Sequence, residues 1–85
     1  MKLHVLYFAG LREALGLESE QVEVPQEVAD VAALKAWLAD RGEPWGEALA
    51  GPRPVLSAVN EEMAGESTTL GEGDTVAFFP PVTGG

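Results

Sequence analysis

The sequence predicts an α+β fold: a mixed sheet with one main helix packed across one face. Three observations carry this expectation. Dense apolar and aromatic runs of strand length, Leu3–Ala9 and Thr75–Phe79, stand near the two ends of the chain. Only one stretch, Asp30 to Gly42, combines helical spacing with signals at both ends. Glycine and proline punctuate nearly every other boundary.

Taken in order, the first strand is broken by Gly10, and Leu11–Leu15 reads as a short helical turn closed by Gly16. Glu20–Val24 alternates polar and apolar residues, the mark of a half-buried strand, and Pro25 ends it. Asp30 can cap the main helix by accepting from its first free amides. Val31, Leu34 and Leu38 form its apolar stripe, with Trp37 alongside, and Arg41 and Gly42 suit its C-terminal end. Glu43–Pro54 reads as a connection with Trp45 and Leu49 as plugs. Val55–Val59 is a third strand, Asn60-Glu61-Glu62 a turn that leads to a short strand, and Gly71 and Gly73 bracket the turn before the last strand. Pro80-Pro81 stops that strand. A single long helix must cover the sheet alone, and the economical sheet sets the first and last strands parallel at its centre. That is the β-grasp, or ubiquitin-like, arrangement.

The chain has 85 residues, enough for one modest core and too few for a deep internal active site. Apolar residues make up 46% and charged residues 22%, which fits a globular protein. Fourteen acidic residues against five basic ones give a formal charge of −9. This charge argues against nucleic acid and against an anionic membrane surface, and it favours basic protein partners. Without cysteine there are no disulfides, zinc-thiolate sites, thiol nucleophiles or side-chain persulfides. Neither a signal core nor a run of about 20 apolar residues occurs, so a cytoplasmic protein is expected.

Side-chain chemistry is sparse. His4 is the only histidine and lies within a strand, with no nucleophile at a spacing that argues for a triad. Glu61 and Glu62 are adjacent, so in extended chain they point apart. Gly71-Glu72-Gly73-Asp74 leads into a strand rather than a helix N-terminus and lacks a lysine, so it reads as a turn and not a phosphate loop. No metal site and no bound cofactor are expected.

The C-terminus is different. Pro80 and Pro81 stiffen the exit from a domain of residues 1–81, and Val82, Thr83, Gly84 and Gly85 read as a flexible C-terminal tail. Four extended residues reach roughly 13–14 Å. The last two have no Cβ, so the tip can enter a narrow channel.

The ending Leu70–Gly85, with its Phe-Phe-Pro-Pro-Val-Thr-Gly-Gly close, resembles the small subunit of molybdopterin synthase. The opening Val5–Glu13 and the piece Ala58-Val59-Asn60 are similar to the same family, and the likeness spans essentially the whole chain. Terminal Gly-Gly alone also suits thiamin sulfur carriers, carriers for tRNA thiolation and ubiquitin-like modifiers. A non-covalent interaction domain with an incidental tail is the third reading.

The resemblance implies a sulfur carrier. An ATP-dependent, E1-like enzyme would adenylate the carboxylate of Gly85, and a sulfur donor would convert it to a thiocarboxylate. The tail, Pro80 to Gly84, would insert into the large subunit, where sulfur passes to a cyclic pyranopterin phosphate to build the dithiolene. The two subunits would form a heterotetramer, with the active site on the large one. The family uses an apolar surface at positions matching Phe8, Met63 and Phe79 against both partners. Strand alternation agrees on the geometry: if Val5, Tyr7, Val76 and Phe78 face the helix, then Leu6, Phe8, Ala77 and Phe79 face away.

Overall fold

Two strands from opposite ends of the chain lie side by side: β1 (Lys2–Tyr7) and β5 (Thr75–Phe79) are paired in parallel. β2 (Ser19–Glu23) is antiparallel to β1, and β3 (Leu56–Val59) is antiparallel to β5. β4 (Glu62–Ala64) completes a five-stranded sheet ordered β2-β1-β5-β3-β4. The structure, a computed structural model, describes residues 1–81; Val82, Thr83, Gly84 and Gly85 lie outside the described residues.

β1 ends at Tyr7, not at Ala9 as its composition suggests. Ala9 takes a φ of +53°, and the chain turns there into α1 (Ala9–Leu15). Phe8 stays extended as the N-cap, and its N–H still donates to the Phe78 carbonyl at 3.1 Å, so the parallel ladder runs one step past the strand. Gly16, at φ +67°, closes α1 with a bond to the Arg12 carbonyl.

α2 (Val31–Ala39) is the main helix. Asp30 Oδ1 accepts from the Ala33 N–H at 2.8 Å, the expected cap. Val31, Leu34 and Leu38 are fully buried against Leu3, Val5 and Tyr7 of β1 and Val76 and Phe78 of β5. Each such side chain contributes about 1.5–3 kcal/mol when withdrawn from water.

The connection at 43–54 contains a third helix, α3 (Trp45–Ala50). Six residues between Pro44 and Gly51-Pro52 are too few to display a helical period, so the pattern reads as loop. Leu49 nevertheless plugs the core as expected, with Trp45 half-buried beside it.

Asn60 and Glu61 join β3 to β4 with φ values of +50° and +71°, both positive as a type I′ hairpin turn requires. Asn60 also ties this hairpin to the start of β5. Its Oδ1 accepts from the Thr75 N–H at 3.0 Å, and its Nδ2 donates to Asp74 Oδ1 at 3.0 Å. Asp74 Oδ2 in turn accepts from the Gly71 N–H, which fixes the turn before β5.

Candidate functional site

The C-terminal segment leaves the sheet from its central strand. β5 is hydrogen-bonded on both sides, to β1 and to β3, so the direction in which Pro80 and Pro81 depart is set by the central strand of the sheet. Pro80 is half-buried and Pro81 exposed. Of the tail residues named from the sequence, these two are the ones within the described part of the chain.

The face of the sheet turned away from α2 carries an apolar surface that runs to this exit. Along one row, Leu6 pairs with Ala77, Ala77 with Ala58, and Ala58 with Met63. In the next row Phe79 pairs with Leu56, and Phe8 sits one step beyond the Tyr7–Phe78 pair. Alternation turns Tyr7 and Phe78 into the core and Phe8 and Phe79 outward. Phe8 is 45% exposed, Leu56 38% and Met63 68%, and Phe79 is half-buried. A contiguous apolar surface of this kind is the usual mark of a protein contact site.

Phe8, Met63 and Phe79 therefore share one face, with Met63 two strands away from Phe79. Leu56 belongs with them and escaped the sequence reading. Residues 55, 56, 58 and 59 are all apolar, and the one polar residue among them, Ser57, is the buried one. That run shows no alternation from which an outward side could be read.

On the helix side of the sheet, a polar tie fastens α2 and α3 to the strands. The Tyr7 hydroxyl donates to Glu20 Oε2 at 2.8 Å, and Arg41 Nη2 donates to the same oxygen at 2.5 Å. Arg41 lies 3.9 Å from the centre of the Trp45 ring, and Tyr7 meets Trp45 edge-on at 5.5 Å. Burial, reinforced by the Glu20 carboxylate, raises the Tyr7 pKa, so the phenol stays neutral and keeps donating. Burial also pushes Glu20 toward protonation, but the bonds from Arg41 and Tyr7 outweigh it and hold Glu20 below the ordinary carboxylate value. The bond to Glu20, opposed by burial, raises Arg41. This tie positions α3.

No group of three or more His, Asp or Glu side chains that could hold a metal occurs among the described residues. No helix among them is long and apolar enough to cross a membrane. What the arrangement offers is an exposed apolar face beside the point where Pro80 and Pro81 leave the sheet.

Known proteins share both the sequence and the shape. The model of the ThiS family matches residues 5–85. The molybdopterin synthase sulfur carrier subunit of Haemophilus influenzae is 39% identical over 83 residues, covering 98% of this chain and 99% of the relative. A Pyrococcus furiosus protein assigned as subunit 1 of molybdopterin converting factor superposes with a TM-score of 0.78 at 29% identity, over 96% of this chain and 99% of that one. A chain from the Helicobacter pylori complex of molybdopterin-converting factor subunits 1 and 2 matches with a TM-score of 0.68 at 27% identity, over the whole of both chains. These likenesses agree with the ubiquitin-like β-grasp sheet order, in which the terminal strands are central and parallel. By sequence and by fold, this chain belongs to the ThiS family, alongside the molybdopterin synthase sulfur carrier subunits.

Proposed function

We propose that this chain is the sulfur-carrying subunit of a cytoplasmic molybdopterin synthase, with the carboxylate of Gly85 as its reactive group. The observation that carries the reading is positional. β5 delivers Pro80 and Pro81 beside an exposed apolar face, and the sequence goes on from there as Val-Thr-Gly-Gly.

The chemistry follows from the carboxylate. With a pKa of about 3.3–3.7 it is an anion at neutral pH and a poor electrophile. An ATP-dependent activating enzyme would join it to AMP with release of pyrophosphate. A donor supplying sulfur at the sulfide level would then displace AMP to leave a thiocarboxylate. The terminal sulfur is a soft nucleophile, a role that no side chain of this cysteine-free protein can take. The large subunit would receive Pro80 to Gly84 in a channel and bring the sulfur to a cyclic pyranopterin phosphate. Phe8, Met63 and Phe79, with Leu56, would dock against both the activating enzyme and the large subunit.

Intact-mass measurement after incubation with ATP, the activating enzyme and a sulfur donor tests the carrier step: one oxygen should be replaced by sulfur. Sulfuration of the pterin precursor by the loaded chain plus a large subunit tests the product. Loading without pterin sulfuration would instead support a carrier for thiamin or tRNA thiolation, and attachment to lysines a ubiquitin-like modifier. No loading at all would leave a non-covalent interaction domain.

A further inference from the structure

A cleft of about 440 Å³ opens beside the tail root, between α1, α3 and the loop leading to β3. Leu11, Ala14, Ala48, Val55 and Pro80 give it an apolar lining. Glu43 and Glu47 against Arg53 leave it net acidic. Pro80 lines the cleft and directly follows Phe79, so cleft and outer sheet face meet where the tail departs.

We infer that this cleft is the second half of the docking surface and receives an apolar side chain of the synthase large subunit, with a lysine or arginine beside it. The inference rests on the carrier reading and adds a site to it. Continuity is the first argument, because Pro80 lines the cleft and its neighbour Phe79 belongs to the outer face, so a partner seated on one surface reaches the other. Enclosure is the second argument, because a partner that takes in the tail must close around its root, and the cleft borders that root. Charge is the third. Glu47 is exposed and has no ion-pair partner among the described residues, in a chain of formal charge −9. A basic side chain on the partner is its complement.

Two exposed positions test the cleft without touching the core, Ala14→Arg and Glu47→Lys. Each is compared with the unaltered chain, and with Phe8→Lys on the sheet face, for melting temperature and for affinity to the large subunit and, separately, to the activating enzyme by calorimetry. Ala14→Arg should weaken binding by about tenfold or more, because its long side chain would fill the cleft and its guanidinium would compete with the partner's basic group for the acidic rim. Glu47→Lys should weaken it several-fold and flatten its salt dependence, while both variants melt near the unaltered chain. If Ala14→Arg unfolds, Glu47→Lys decides alone. Unchanged affinity in the cleft variants, with Phe8→Lys weakened, overturns the cleft and leaves the sheet face standing. No effect from any of the three overturns both surfaces. A loss confined to the activating enzyme overturns the assignment to the large subunit.

Discussion

Phe79 and Leu56 are direct cross-strand partners on the outer face of the sheet, one rung before the chain leaves β5 for Pro80. The pairing sets an apolar rim at the tail root, so whatever holds the tail also meets these side chains. Phe8 is more exposed than Phe79, and the two positions should respond differently to charge. Phe8→Lys should leave the melting temperature almost unchanged. Phe79→Lys should cost about 1–3 kcal/mol of stability, because a half-buried ring is lost from a central strand. Both should weaken partner binding by several kcal/mol, since the charge would be buried unpaired in the contact. Thermal unfolding and pull-down on the same variants check this. A collapse of Phe8→Lys on heating would place that ring in the core and remove it from the docking face.

Removing Gly85 should leave the melting temperature and the spectra of residues 1–81 unchanged and abolish sulfur loading. Adding one bulky residue after Gly85 should act similarly by moving the reactive carbonyl one peptide unit. Intact mass after the loading reaction is the readout, and a truncated chain that still gains sulfur contradicts the carrier reading.

Glu20→Gln should lower stability at neutral pH by about 1 kcal/mol, because the charge-assisted bonds from Arg41 and Tyr7 become neutral ones. The folded-state pKa of Glu20 lies below its ordinary value. The stabilisation is therefore fully present above the unfolded pKa, about 4.3, and is lost as pH falls through the lower folded value. Urea unfolding at pH 7 and near pH 3 should show the gap between variant and parent narrowing on the acid side. A gap that widens there would mean that Glu20 is neutral in the folded chain.

Asn60→Ala should cost about 2 kcal/mol. It loses two side-chain hydrogen bonds to the start of β5 and forces alanine to a φ of +50°. Asn60→Gly should recover part of the loss, since glycine tolerates the turn but cannot make the bonds. Chemical denaturation of the two variants separates the backbone part from the side-chain part.

What the sequence made legible follows from periodicity. Val31, Leu34 and Leu38 on α2, and the alternation of Val5, Tyr7, Val76 and Phe78, point to the core positions that the structure buries. The parallel central pair is as expected, but α2 does not cover the sheet alone: Leu11 of α1 and Leu49 of α3 are buried in the same core. Two features escaped for local reasons. α3 is under two turns long, and its Trp45 and Leu49 look like isolated plugs. Leu56 lies in a run where the buried residue is a serine, so polarity points to the wrong side. The end of β1 is not visible in composition, because apolar character persists through Ala9, where the positive φ turns the chain into α1.

The parallel pairing of β1 with β5 also governs when the tail can be displayed. Val5 and Val76 are register partners, so closing the centre of the sheet brings together residues about seventy positions apart. Such long-range closure is slow compared with helix or hairpin formation, and β5 is synthesised after the four strands it is sheeted with. Until β5 is seated between β1 and β3, the segment after Phe79 has no fixed direction, and the Phe79–Leu56 rim is not assembled. An activating enzyme that needs the rim as well as the tail would thus engage only finished molecules. Completion of the fold would act as a licence, and half-made or unfolded chains would be passed over.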